Sequence, residues 1–148
     1  MDPLSISVSI ITLLQATDSV FKYVQDVIGA KEERTKIFQE VTTIRHFLLV
    51  LQNKVPDPAQ PGDKWFKTLK SFKEPHGPLE QLQVSLDRLV LMLKSAKAQK
   101  RFGNLSWTWH FKKEEVKEIL ANVERQKNCI ALALENDHMF SNSLNVLC

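Results

Sequence analysis

The first seventeen residues, MDPLSISVSIITLLQAT, constrain this chain more than any other stretch. Between Asp2 and Asp18 there is no charged side chain. Asp2-Pro3 reads as a helix start, with Asp as N-cap and Pro at the first helical position. Leu4, Ile6, Val8, Ile10, Ile11, Leu13 and Leu14 follow, diluted by Ser5, Ser7, Ser9 and Thr12. An apolar helix in an otherwise polar chain has to be covered by a core, by another protein or by a membrane.

The stretch does not read as a secretory signal. It lacks a basic region before the apolar run and a small-x-small cleavage site after it. The uncharged residues 3–17 make a helix of about 22 Å at about 1.5 Å per residue. A hydrocarbon core needs about 30 Å and about 20 residues. On that length the segment can bury in a protein core or enter a membrane partway, and a stable single-pass anchor is not expected.

At 148 residues the chain is long enough for one domain with a real core. Its 43% apolar and 25% charged residues are ordinary for a globular protein and argue against global disorder. Four glycines and one tyrosine argue against a turn-rich all-β fold. The net charge of +3 implies no partner, but its distribution is uneven. Lys94, Lys97, Lys100, Arg101, Lys112 and Lys113 stand in one stretch without an acid, so the rest of the chain is net negative. Cys129 and Cys148 form no spaced pattern and read as free thiols of a reducing compartment.

Apolar periodicity predicts four long helices. The first covers about residues 3–28, with Ile10, Leu13, Leu14, Val20, Phe21, Val24, Val27 and Ile28 inward, and stops at Gly29. The second covers about 31–55, with Ile37, Val41, Ile44, Leu48, Leu51 and Val55 at alternating steps of four and three. Pro56, Pro58, Pro61 and Gly62 break the chain. A short amphipathic helix over about 63–72 offers Trp65, Phe66, Leu69 and Phe72, which read as a lid over the bundle. The third long helix, about 79–101, carries the stripe Leu79, Leu82, Leu86, Leu89, Leu93 and Ala96, and Gly103-Asn104 closes it. The fourth covers about 112–140, with Val116, Ile119, Leu120, Val123, Ile130, Leu134 and Met139 inward. Such helices pack most simply as an antiparallel bundle, so the expected class is all-α.

No catalytic constellation is visible. There is no phosphate-cradling G-x-x-x-x-G-K-[ST] loop, no G-x-S-x-G and no H-E-x-x-H. His46, His76, His110 and His138 are far apart and lack metal-ligand spacing. A di-metal bundle site needs two Glu-x-x-His pairs, and only Glu135 to His138 has that spacing. Neither catalytic, cofactor nor metal residues are therefore expected.

Three segments in order resemble the HeLo-like N-terminal domains of fungal STAND receptors, intracellular NLR-type proteins. They are the opening MDPLSISVSIITLLQAT, the helix start Gly77-Pro78-Leu79-Glu80-Gln81-Leu82, and the closing segment WTWHFKKEEVKEILANVERQKNCIALAL from Trp107 to Leu134. One departure is Thr108, where the family pattern has proline; it bears on how the last helix begins. The resemblance implies a helical bundle related to HeLo cell-death domains. It is also similar in design to the four-helix bundle of the mixed-lineage kinase-domain-like pseudokinase and to executioner domains of plant immune receptors. It implies a membrane-targeting effector that an upstream receptor or amyloid motif oligomerises. Its N-terminal helix then leaves the bundle and perturbs the plasma membrane, causing regulated cell death. The chain is expected to be either the effector module of a larger receptor or a short stand-alone version.

On that reading Leu4, Ile6, Ile10, Ile11, Leu13 and Leu14 engage the membrane, and Ser5, Ser7 and Ser9 suit close-packed helices in an assembly. Lys97, Lys100, Arg101, Lys112 and Lys113, among Phe102, Trp107, Trp109 and Phe111, meet anionic headgroups. The plainer reading of the basic stretch is a solvated helix end whose lysines complement a helix dipole. Expected partners are further copies of the chain, anionic lipids and an upstream NLR-type receptor. Nucleic acid is not among them, for want of a docking motif. The expected location is cytoplasmic, moving to the plasma membrane on activation. The alternative is a signalling adaptor that self-associates or docks a partner helix without touching lipid.

Overall fold

The computed structural model describes residues 3–27, 31–55, 64–100 and 105–135. Among them are five helices, four of them long, and no strand: α1 (Pro3–Val27), α2 (Lys31–Lys54), α3 (Lys64–Phe72), α4 (Pro78–Lys100) and α5 (Leu105–Glu135). The protein is an all-α helical bundle. Each long helix buries most of the row that its periodicity marks; Leu14 and Phe21 of α1, and Val55 just after α2, are half-buried against the core. Ile37, Val41, Ile44, Leu48 and Leu51 of α2 are at most 2% exposed, and the Leu79-to-Ala96 row of α4 is equally closed. Val116, Ile119, Leu120, Val123 and Ile130 of α5 complete the core, with Leu134 half-buried against it. Ile28, Gly29, Gly103, Asn104 and Met139 lie outside the described residues.

The helices are not arranged in the simple antiparallel order. Phe21 stacks on Phe38 with ring centroids 5.6 Å apart, and Arg45 meets Asp18, so α1 and α2 run antiparallel. Arg88 meets Glu115 and Ser85 meets Asn122, so α4 and α5 do too. The pairs Glu33–Lys113 and Glu40–Lys127 make α2 and α5 parallel. Lys97 near the end of α4 reaches Asp26 near the end of α1, which makes that pair parallel as well. Around the bundle the order is α1, α2, α5, α4, and the α1/α5 and α2/α4 diagonals touch little. The reason is the route from α2 to α4. It crosses the end of the bundle through α3, whose Thr68, Leu69 and Phe72 are buried. The lid expectation holds for Leu69 and Phe72; the side chains of Trp65 and Phe66 lie outside the described residues.

A tight turn returns the chain from α3 into α4. Gly77 N–H donates to the Glu74 carbonyl at 2.8 Å, and Gln81 N–H donates to Gly77 O at 3.1 Å, opening the helix. A Cβ on Gly77 would stand 2.7 Å from Phe72 O and 2.8 Å from Glu74 O, so only glycine fits. Pro78 takes the first helical position, where its missing N–H is not needed. Glu80 reaches back to accept from His76 N–H at 2.7 Å, holding His76 at φ 63°.

α5 begins at Leu105, seven residues earlier than Lys112. With Thr at 108, nothing in residues 105–111 interrupts i→i−4 hydrogen bonding. Trp107, Trp109 and Phe111 therefore stand on a helix rather than in a loop.

Candidate functional site: the N-terminal helix and its clasps

Along α1 the inward row is Ile6, Ile10, Leu13, Thr17, Val20, Val24 and Val27, each at most 2% exposed. Its steps alternate four and three, a bundle seam. The outward row of the first half is apolar as well: Leu4 is 65% exposed, Val8 55% and Ile11 42%. The six residues expected to engage a membrane thus divide. Leu4 and Ile11 face outward, Ile6, Ile10 and Leu13 are core, and Leu14 is half-buried. Val8 belongs to the outward row and was not among them. Its i, i+4 relation to Leu4 is the signal that marks it.

The helix does not stop with the uncharged run; its 25 residues span about 37 Å at about 1.5 Å each. Leu4–Val27 is long and apolar enough to cross a membrane, a test that core helices of soluble proteins also pass. Three hydroxyls of this part of the helix donate to its own carbonyls. Ser9 donates to Ser5 O at 3.2 Å, Thr12 to Val8 O at 2.9 Å and Thr17 to Leu14 O at 2.6 Å. Such internal bonds lower the cost of moving hydroxyls into an apolar medium. Ser5 and Ser9 share one side of the helix, one turn apart; Ser7 is turned away from them.

Among the described residues, three clasps from three parts of the chain hold α1 at its beginning, middle and end. Lys73, just after α3, donates from Nζ to Ser5 O at 2.7 Å and also to Ser5 Oγ. Arg45 of α2 donates from Nη1 to Asp18 Oδ1 at 2.7 Å, to Thr17 Oγ1 at 3.0 Å and to Leu14 O at 3.4 Å. That hub sits where the uncharged half ends, and it gives the buried Thr17 hydroxyl a donor. Lys97 of α4 pairs with Asp26 at 2.9 Å.

The basic stretch is therefore not a single free patch. Lys97 is committed to Asp26, and Lys113 to Glu33 at 3.0 Å across the α2–α5 side. The side chains of Lys100, Arg101 and Lys112 lie outside the described residues. What the structure does assemble is different: the ammonium groups of Lys22, Lys94 and Lys97 stand 5.6, 5.8 and 5.4 Å from the centre of the Tyr23 ring.

Two further features lie away from α1. A cavity of about 420 Å³ opens where the 72–78 turn meets α5, with Glu74, His76, Gln81, Asn122, Arg125 and Gln126 in its walls. Cys129 is buried and disulfide-bonded, which overturns the free-thiol expectation for it and removes the argument from thiols to a reducing compartment. Pairing depends on proximity in the fold, which spacing along the chain does not carry. Cys148 lies outside the described residues.

Comparisons with family models, with curated proteins and with solved structures gave no match. The HeLo-like resemblance rests on the three sequence segments alone.

Proposed function

We propose that this chain is a non-enzymatic effector module of the HeLo-like kind, which oligomerises and perturbs membranes through α1. The observation that carries the reading is the first half of α1: uncharged all round, with Leu4, Val8 and Ile11 exposed on its outer face. Soluble helices ordinarily place charge there. The self-satisfied hydroxyls of Ser9, Thr12 and Thr17 support the same reading.

Energetics set the condition for release. The ion pairs of two clasps, Arg45–Asp18 and Lys97–Asp26, are exposed or half-exposed, and such pairs contribute at most about 1 kcal/mol each. The inward row counts for more. Its six aliphatic side chains, at about 1.5–3 kcal/mol each, together stabilise α1 by on the order of 10 kcal/mol. That approaches the whole stability of an ordinary domain. α1 therefore leaves only into another apolar environment, lipid or further copies of the chain. The resting bundle is cytoplasmic in this reading, and an upstream NLR-type receptor would supply the proximity that drives assembly at the plasma membrane. Anionic headgroups would meet the basic residues between Lys94 and Lys113.

A second reading is favoured by the spacing of Leu4, Val8 and Ile11. Residues at i, i+4 and i+7 are the anchors with which an amphipathic helix docks in a protein groove. Under it the chain is an adaptor that binds protein and not lipid.

Dye release from anionic vesicles separates the two. The full chain is compared with Val8→Glu/Ile11→Glu, whose changes lie on the outer face and leave the core row intact. The effector reading expects release by the full chain and loss of it in a variant with unchanged melting temperature. A folded chain that neither floats with vesicles nor releases dye, even when artificially oligomerised, supports the adaptor.

A further inference from the structure

Near the end of the bundle where α1 and α4 both finish, three lysines of the described residues gather on the seam between them. Lys22 comes from α1, and Lys94 and Lys97 come from α4. All three ammonium groups lie within 5.8 Å of the Tyr23 ring centre. Lys97 has Asp26; among the described residues neither Lys22 nor Lys94 has a carboxylate within ion-pair distance.

Ordinary structural causes do not account for the cluster. The helix dipole favours lysines only within the last turn. Lys22 and Lys94 stand more than a turn inside the ends at Val27 and Lys100. Lys94 and Lys97 are three residues apart on one helix, a spacing at which like charges repel. The ring face attracts a cation, but one half-buried tyrosine gives only modest attraction to each exposed ammonium. Three lysines around one ring, with Asp26 as the one carboxylate among the described residues that pairs with them, call for further counter-charge. A phosphate group would supply it, with several acceptor oxygens for point-charge donors.

We propose that Lys22, Lys94 and Lys97, gathered on Tyr23 across the α1–α4 seam, form a binding site for a phosphomonoester or polyphosphate group. The site belongs to the resting bundle and does not depend on α1 leaving it. Its success or failure is thus separate from that of the membrane reading.

Tyr23 is the only tyrosine in the chain, so its ring proton resonances report on the site without ambiguity. The full chain is titrated with inorganic tripolyphosphate in the absence of membrane. Saturable shifts of the Tyr23 ring signals are expected. Lys22→Gln/Lys94→Gln spares the Lys97–Asp26 pair and should weaken binding about tenfold, as expected for two charge-assisted contacts. Lys36→Gln/Lys117→Gln, on the α2–α5 side, is the matched control and should weaken it less than about twofold. Flotation with vesicles then distinguishes the sources. Preference for phosphatidylinositol-phosphate vesicles over phosphatidylserine vesicles of equal surface charge assigns the site to a lipid headgroup. Equal flotation with tripolyphosphate binding retained assigns it to a soluble phosphate compound. The absence of a saturable Tyr23 shift, or equal weakening by the two double variants, overturns the proposal.

Discussion

The two halves of α1 bury the same kind of row and differ on the outside. Inward, Ile6, Ile10 and Leu13 in the first half and Val20, Val24 and Val27 in the second are all closed to solvent. Outward, the second half carries Asp18, Lys22 and Asp26, two of them in ion pairs with Arg45 and Lys97. The first half carries Leu4, Val8 and Ile11. Core packing therefore says nothing about function here, because both halves satisfy it equally. The absence of charge on the outer face of the first half is what separates it from α4, whose exposed Val84 and Leu91 stand beside Asp87 and Arg88.

The contrast between inner and outer rows breaks first where a charge enters the core. Leu13→Glu or Ile10→Glu is expected to cost more than about 4 kcal/mol, because an unpaired carboxylate would be buried. Circular dichroism and urea unfolding should find these variants unfolded or nearly so. For that reason neither serves as a functional test. Truncation gives a graded version: Ile10→Ala should cost about 2–5 kcal/mol and Ile11→Ala within about 0.5 kcal/mol. Equal costs at the two neighbouring positions would refute the assignment of rows.

The clasps come next in size. Arg45→Ala removes the donor to Thr17 and Leu14 and should cost about 1–3 kcal/mol. Asp18→Ala removes only the exposed partner, whose side chain is 62% accessible, and should cost less than about 1 kcal/mol. Chemical denaturation of both variants checks the ratio, and hydrogen exchange should locate the Arg45→Ala effect in the middle of α1. The smallest expected effect on stability, within about 0.5 kcal/mol, is that of Val8→Ser on the outer face. Under the proposed function the same change should lower dye release several-fold, a separation of stability from activity that a core position cannot show.

The sequence exposes the inner rows because they are a local property of each helix. Leu79 through Ala96 and Ile37 through Leu51 lie where their period puts them. What it does not expose depends on contacts between distant segments. Lys73 and Ser5 are 68 residues apart, and Lys97 and Asp26 are 71. No periodicity links them, and the Tyr23 cluster arises from the same unforeseen parallel packing of α1 on α4. The start of α5 was obscured by aromatic and basic residues in 105–113, which read equally as loop or helix until Thr108 is weighed for its free N–H. Within α1 the periodic reading started its inward row at Ile10 and missed Ile6, and the membrane-facing set left out Val8, because a run apolar on every side gives period analysis little contrast.

Under the proposed function the outer residues Leu4, Val8 and Ile11 of the first half of α1 enter lipid, while the charged Asp18, Lys22 and Asp26 of its second half stay at the aqueous edge. Spin labels at Val8→Cys, Ile11→Cys and Lys22→Cys, all on the outer side of the helix, test it without disturbing the core. Collision accessibility is measured with oxygen, which concentrates in lipid, and with a water-soluble nickel complex. The account predicts that on adding anionic vesicles positions 8 and 11 become accessible to oxygen and shielded from nickel, while position 22 stays open to nickel. If all three stay open to nickel in a folded chain, α1 does not enter the bilayer and the account is wrong.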